Sequence, residues 1–136
     1  MSRPIKAVIN TGALRRNLAV VRRHAPRSSV LAVVKANAYG HGVARVARSL
    51  AEADGLALLE IEQAVLLREG GEARRLVLLE GLFEPAELAL ADEHDLAIVI
   101  HHHEQLRMLD AAPAGARFDV LLKINTGMNR LGFSPL

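Results

Sequence analysis

Residues 32–42 read AVVKANAYGHG, and the rest of the chain is interpreted outward from this stretch. An apolar run that begins at Val30 leads directly into Lys35, and a loop with two glycines follows before a helical pattern starts. The sequence therefore places Lys35 where a strand opens into a loop. In parallel α/β folds this is where active sites form, because the strand fixes the side chain while the loop leaves it accessible.

The chemistry of Lys35 follows from that position. Apolar surroundings are expected to favour the neutral amine, which is the form that makes a Schiff base. The chain has three lysines against fourteen arginines, so a lysine at this point is less easily incidental. The alternative is a lysine that snorkels at a strand end and has no chemical role.

Strand and helix patterns alternate from residue 30 onward, which predicts a parallel sheet covered by helices. The predicted strands are 30–35, 56–59, 76–79, 96–100 and 118–124, and the predicted helices are 43–53, 61–69, 85–91 and 104–111. Before them, 4–9 alternates in the manner of a short strand, and 11–25 has helical spacing with Asn10 or Thr11 as its cap. Pro26 ends that helix.

Five strands of this kind fit two architectures. A doubly wound sheet could be complete in itself, whereas a closed (β/α)₈ barrel needs eight strands and about 250 residues. The chain of 136 residues stops in the loop after the predicted fifth strand, as expected of a barrel that is cut rather than finished, and the pattern alone leaves both architectures open. An open sheet of five strands would leave a bare edge and a half-covered face.

A second stretch, LLKINTGMNRLGF at 121–133, adds more cations. Strand alternation puts Lys123 on the face opposite a wholly apolar set, Phe118, Val120, Leu122 and Ile124. The apolar set is expected to pack on helices, which turns Lys123 inward. Lys35, Lys123 and Arg130 would then converge on one mouth, where an anionic ligand would compensate their charge.

Both stretches resemble segments of the bacterial alanine racemases, in the same order along the chain. Residues 32–42 resemble the family's pyridoxal-phosphate attachment motif, and 121–133 resemble its substrate-side segment. The resemblance covers nearly the whole chain and implies an α/β fold, the N-terminal part of a (β/α)₈ TIM barrel with about five parallel strands and intervening helices. Residues 1–136 are then a partial barrel domain, truncated before the later barrel units and the C-terminal β domain.

The resemblance also implies roles for individual residues. Lys35 matches the lysine that holds pyridoxal 5′-phosphate and acts as a catalytic base, and Tyr39 matches the tyrosine that contacts the cofactor phosphate. Arg130 matches the arginine that binds the substrate carboxylate, a task suited to its planar fork. Lys123 matches a lysine that is carbamylated in some members. Asn125 stands where many relatives have aspartate, and little consequence is expected there.

The implied activity is the interconversion of L- and D-alanine for peptidoglycan synthesis. Inversion needs proton donors on both faces of the substrate, and in the family the second base is a tyrosine of a C-terminal domain contributed across a homodimer. We therefore expect a half site that racemises alanine weakly or not at all by itself. The alternatives are a racemase of broader amino-acid preference and a cofactor-binding or vestigial product without catalysis.

Composition excludes several other classes. Aromatic residues make up 3% of the chain and the formal charge is +2, which disfavours a nucleic-acid surface. There is no cysteine, no apolar run long enough to cross a membrane and no pattern of a signal peptide, so a cytoplasmic location is expected. His101, His102 and His103 with Glu104 suggest a metal, but adjacent side chains diverge, and no metal site is predicted.

Overall fold

A computed structural model describes residues 3–135 and contains one sheet of five parallel strands. The strands are β1 Leu31–Val33, β2 Gly55–Leu58, β3 Arg75–Leu78, β4 Leu96–Ile100 and β5 Val120–Leu122. Each strand pairs with the next one along the chain, so the order is β1-β2-β3-β4-β5 and never reverses. A doubly wound sheet requires a reversal, so the predicted barrel order is confirmed.

The helices lie on one side of this sheet. They are α1 Thr11–His24, α2 Lys35–Tyr39, α3 Val43–Ser49, α4 Ile61–Glu69, α5 Glu87–Glu93 and α6 His103–Asp110. Buried side chains of α3, α4 and α5 join one core with alternate residues of the strands, and residues of α1 and α6 pack against it. Because helices cover only one face, the other face corresponds to the interior of a barrel.

The interior face is better covered than an open sheet would be. Ala57, Val77, Ala97 and Val99 are between 1% and 7% exposed, and Leu31, Leu79 and Leu121 pack against them. The central residues of this face are therefore buried by their neighbours on the sheet, although no helix within 3–135 covers it.

The short strand predicted at 4–9 is wrong. These residues belong to no strand, and Ile5 is 92% exposed. An alternating pattern forms a strand only where another strand offers its hydrogen-bonding groups, and no residue in 3–135 does so for this segment.

The apolar set on the last strand is only partly packed. Phe118 reaches the helix-side core as predicted, but Val120, Leu122 and Ile124 are exposed, Leu122 by 61%. The expected packing of these three on helices is wrong, because no helix within the described residues covers the outer face of β5.

Several boundaries also differ from prediction. Helix α1 begins after Asn10, whose Oδ1 accepts a hydrogen bond from the Ala13 amide at 3.0 Å, and α4 has the predicted bounds. Helix α3 ends at Ser49 rather than at 53, because the backbone turns at Leu50. Strand β1 has three residues rather than six, because the backbone leaves the extended conformation at Val34 and a turn begins at Lys35. None of the described helices is long and apolar enough to cross a membrane.

Candidate active site

Lys35 lies two residues beyond β1, at the C-terminal edge of the sheet, and opens an unusual turn. Ala36, Asn37 and Ala38 have φ between 51° and 53° and ψ between 46° and 52°, and Tyr39 follows with φ 55°. Segment α2 is therefore a left-handed turn and not the loop that the sequence predicts. This conformation costs about 1–2 kcal/mol per residue for side chains larger than glycine.

Hydrogen bonds with both neighbouring elements hold this turn in place. The Ala38 amide donates to the Val34 carbonyl at 2.8 Å, and the Asn37 Oδ1 accepts from the Val43 amide at 2.8 Å, at the start of α3. The His41 ring contacts the Ala38 carbonyl at 2.9 Å, and Ala38 is buried. Asn37 thus joins the turn to α3, a role that the tolerance of asparagine for the left-handed region could have indicated.

The turn decides how Lys35 is presented. Strand alternation holds up to Val34: Leu31 belongs to the interior cluster, whereas Ala32 and Val34 join the helix-side core. The backbone of Val34 then leaves the extended region, with ψ 22°, so strand alternation no longer sets the direction of the Lys35 side chain. Lys35 is half-buried and Tyr39 is 58% exposed, so both remain open to a ligand.

Lys123 and Arg130 belong to the loop that follows β5. The Lys123 amide donates to the Ile100 carbonyl at 2.8 Å, so pairing with β4 continues one residue past the strand. Lys123 is half-buried and Arg130 is exposed. Lys35 and these two cations all follow the C-terminal ends of their strands. Strands β1 and β5 are the outermost strands of the sheet, so β2, β3 and β4 lie between Lys35 and the other two cations.

Asn125 organises the loop that carries Arg130. Its Oδ1 accepts from the Gly127 and Asn129 amides at 3.1 and 3.0 Å, and its Nδ2 donates to the Asn129 Oδ1 at 3.0 Å. An aspartate would retain the first two hydrogen bonds and lose the third, since a carboxylate cannot donate. The expectation that asparagine has little consequence here stays a prediction, with the Asn125–Asn129 side-chain hydrogen bond as the contact that depends on the amide.

Phe133 closes the base of the same loop. Its amide donates to the Lys123 carbonyl at 2.9 Å, and its carbonyl accepts from the Asn125 amide at 2.8 Å. Gly132 beside it has φ 110°, and a Cβ there would lie 2.8 Å from the Asn125 nitrogen. Hydrogen bonds therefore close the loop at its base, and this closure requires glycine at position 132.

The cations of this edge lack acidic partners. Within residues 3–135 the ion pairs are Arg22–Asp54, Arg74–Glu72, Arg75–Asp119 and Arg107–Glu104. Lys35, Lys123 and Arg130 take part in none of these pairs. An edge with three such cations is suited to a ligand that carries negative charge.

The three histidines have three different partners. The His101 Nε2 contacts the Glu80 carbonyl at 3.0 Å, and the His102 Nδ1 accepts from the Glu104 amide at 3.3 Å, where it caps α6. The His103 ring packs edge-on against Phe133, with ring centroids 5.0 Å apart. Among residues 3–135 no three or more histidine and acidic side chains are grouped as metal ligands would be.

The strand order, the helices on a single face and the lysine at the C-terminal edge define this chain as part of a β/α barrel with its candidate site at the carboxyl ends of the strands. The family model of the alanine racemase N-terminal domain matches residues 9–136. The chain therefore belongs to the alanine racemase family.

Individual relatives agree with this assignment. The alanine racemase of Nitrosospira multiformis is 58% identical over 135 residues, which are 99% of this chain and 38% of that protein. The alanine racemase of Nitrosomonas europaea is 56% identical over 135 residues, 99% of this chain and 37% of that protein. The crystal structure of the biosynthetic alanine racemase from Pseudomonas aeruginosa superposes with a TM-score of 0.87 and 44% identity over 92% of this chain and 35% of that one. The chain thus spans little more than a third of the length of these relatives.

Proposed function

We propose that this chain is the cofactor-binding part of an alanine racemase that interconverts L- and D-alanine through pyridoxal 5′-phosphate. The observation that carries the proposal is Lys35, an accessible amine without an acidic partner in 3–135, fixed at the C-terminal edge of the first strand by a left-handed turn. Family membership supports the same reading.

The residues of this edge fit the groups that the cofactor and substrate present. Lys35 would bind the aldehyde carbon covalently, and the exposed hydroxyl of Tyr39 would donate to the phosphate. Arg130 would bind the carboxylate of alanine through two parallel hydrogen bonds. The bound cofactor supplies an electron sink that acidifies the Cα–H bond. The Lys35 amine, once released by the substrate, would take or return the proton on one face.

Lys123 has a dependent role in this proposal. Unmodified, it adds positive charge near the start of the Arg130 loop, whereas carbamylation would convert it to an anion that orients the guanidinium. The interior wall below, which includes Val99 and Leu121, is apolar and would exclude water from the reacting atoms.

The proposal assigns the chain half of a racemisation site. Lys35 serves one face of the substrate, so the second base must come from a segment outside the five strands described here. Residues 1–136 as a partial barrel domain, a homodimeric assembly and a cytoplasmic location remain predictions. We expect the chain alone to racemise alanine weakly or not at all.

A chimera tests the proposal. This chain would replace the corresponding 135 residues of the Nitrosospira multiformis alanine racemase, and L-alanine racemisation would be measured with pyridoxal phosphate present. We expect the chimera to racemise alanine. Lys35→Ala should lower the racemisation rate about 10³-fold. Lys6→Ala, which alters an exposed lysine of the segment 3–9, should leave the rate unchanged. A folded chimera that binds the cofactor but racemises neither alanine nor other amino acids would contradict the proposal and favour the non-catalytic alternative. Faster turnover of another amino acid would favour the broader racemase.

A further inference from the structure

The first turn of α6 is fixed rigidly to the loop after β3. Gln105 is 6% exposed, and its Nε2 donates to the carbonyls of Glu80 at 2.7 Å and Leu82 at 3.2 Å. Its Oε1 accepts from the His101 amide at 3.0 Å, so every polar group of the amide is used. A Cβ at Gly81 would lie 2.6 Å from the Gln105 Nε2, so the loop after β3 and the first turn of α6 are closely packed here. The first turn of α6 is therefore held in one position, and it can position a side chain that packs against it.

The loop that carries Arg130 contacts the first turn of α6 through an aromatic pair. The hydrogen bonds found for 125–133 in the described chain are all internal to the loop or made to Lys123. Phe133, which closes the loop base, packs at an interplanar angle of 77° against the ring of His103, the first residue of α6. Phe133 also reaches the helix-side core.

We propose that His103 is a positioning residue: its ring holds Phe133, and through Phe133 it fixes the loop that presents Arg130 to the substrate carboxylate. This inference rests on the proposed function, because it takes the role of Arg130 from there. His103 itself is exposed, so its ring adds little to the buried core and its effect falls on the loop. An edge-on aromatic pair changes an equilibrium by roughly 2- to 10-fold.

Three variants of the chimera separate the effect on the loop from a general loss of structure. His103→Ala removes the ring, His103→Phe restores an aromatic partner, and His102→Asn alters the adjacent histidine while keeping a residue able to cap α6. We expect His103→Ala to raise KM for L-alanine roughly 2- to 10-fold with kcat changed by less than about 2-fold. His103→Phe should restore KM, and His102→Asn should leave it unchanged.

Propionate supplies a direct reading of the carboxylate contact. It has the carboxylate and methyl group of alanine but no amine, so its inhibition constant reports binding without the chemical step. That constant should rise in His103→Ala by the same factor as KM. Unchanged KM and inhibition constants, or a His103→Phe variant as weak as His103→Ala, would overturn the inference while leaving the proposed function intact.

Hydrogen exchange tests the same inference without activity. In His103→Ala the amides of Asn125 and Phe133, which form the loop base, should exchange faster, whereas peptides of β3 and β4 should be unaffected. Equal protection of the loop base in His103→Ala and His102→Asn would overturn the proposal even if the chimera does not racemise alanine. Lack of racemisation with faster exchange would instead remove the proposed function and keep the structural link.

Discussion

The two edges of the sheet, at the N-terminal and at the C-terminal ends of its strands, differ in the partners of their cationic side chains. At the N-terminal edge, the guanidinium groups of Arg68 and Arg74 donate to backbone carbonyls of the segments that lead into the strands. The acceptors are the carbonyls of Ala47, Leu50, Ala53, Glu72, Arg74, His94 and Asp95. At the C-terminal edge, Lys35, Lys123 and Arg130 enter no ion pair within 3–135. In barrel folds the first edge serves stability and the second serves function.

Backbone strain follows the same division. Six residues other than glycine have positive φ in the described chain: Ala36, Asn37, Ala38, Tyr39, Asp95 and Asn129. Five of them lie in the two loops that carry the candidate site, and Asp95 alone lies at the opposite edge. Strained conformations persist where the surrounding structure determines them. Most of the left-handed backbone therefore lies at the same edge as the three cations that enter no ion pair within 3–135.

The largest loss of stability is expected from Arg74→Ala, at the N-terminal edge of the sheet. The ion pair of Arg74 with Glu72 is mostly buried, with side chains 20% and 12% exposed. Arg74→Ala removes the guanidinium donor from that carboxylate and from three carbonyls, and leaves the carboxylate only its hydrogen bond from the backbone amide of residue 74. We expect a loss of about 3 kcal/mol in the free energy of unfolding, measured by urea denaturation.

Arg75 provides the matched control for this prediction. It is the next residue along the chain, and its ion pair with Asp119 is about half exposed. Arg75→Ala should cost less than about 1 kcal/mol. Equal losses in the two variants would contradict the view that the N-terminal edge depends on Arg74.

A smaller, pH-dependent effect is expected from Glu72→Gln. Hydrogen bonds from Arg74 hold the pKa of the Glu72 carboxyl below its ordinary value of 4.5, so the folded state binds this proton less tightly than the unfolded state. The resulting stability is present above pH 4.5 and is lost as the pH falls through the lower pKa of the folded state. Near neutral pH the variant should therefore be less stable by about 1–2 kcal/mol, and the difference should narrow below pH 4.5.

Urea denaturation of Glu72→Gln across this pH range checks the sign. Glu69→Gln is the control, because Glu69 is exposed at the end of α4 and its side chain makes no hydrogen bond in the described residues. It should change stability little at any pH. A difference between Glu72→Gln and the parent that stays constant through acid pH would rule out the charged pair as its source.

The smallest effect, with the opposite sign, is expected at the C-terminal edge. Ala36 is exposed with φ 51°, so glycine would relieve left-handed strain there without loss of packing. After the greater chain entropy of glycine is subtracted, we expect Ala36→Gly to stabilise by about 0.5–1 kcal/mol. The same substitution at Ala44, exposed in the right-handed helix α3, should destabilise by about 0.5–1 kcal/mol. Equal signs in thermal unfolding would argue against strain in the turn.

The parts of the fold that depend on local pattern could be predicted from the sequence. Apolar runs such as 96–100 are buried on both faces and need only a neighbouring strand, and the spacing of α4 is sufficient to define its bounds. Segment 4–9 has an equally good strand pattern but no partner, so its pattern alone misled. Pairing is a property of the whole sheet and not of one segment.

The geometry of the candidate site was less accessible. Lys35 and Arg130 could be named from their motifs, but Ala36, Ala38 and Tyr39 carry no signal for left-handed backbone, since residues of these types usually avoid it. Nor does the sequence distinguish Arg74, which donates to three carbonyls of the segment 47–53, from the exposed Arg75 beside it. These features depend on which chain segments meet, and that information is absent from local spacing.

The central claim is that Lys35 is the amine that this edge of the sheet presents to an aldehyde cofactor. Its most direct test is to incubate the chain with pyridoxal phosphate, reduce with borohydride and map the modified residue by peptide mass spectrometry. The amines that can react are those of Lys6, Lys35 and Lys123 and the α-amine of the first residue, and peptide mapping distinguishes all four. The account predicts modification at Lys35 with little at the other three; modification spread evenly over the four, or confined to Lys6, Lys123 or the α-amine, would contradict it.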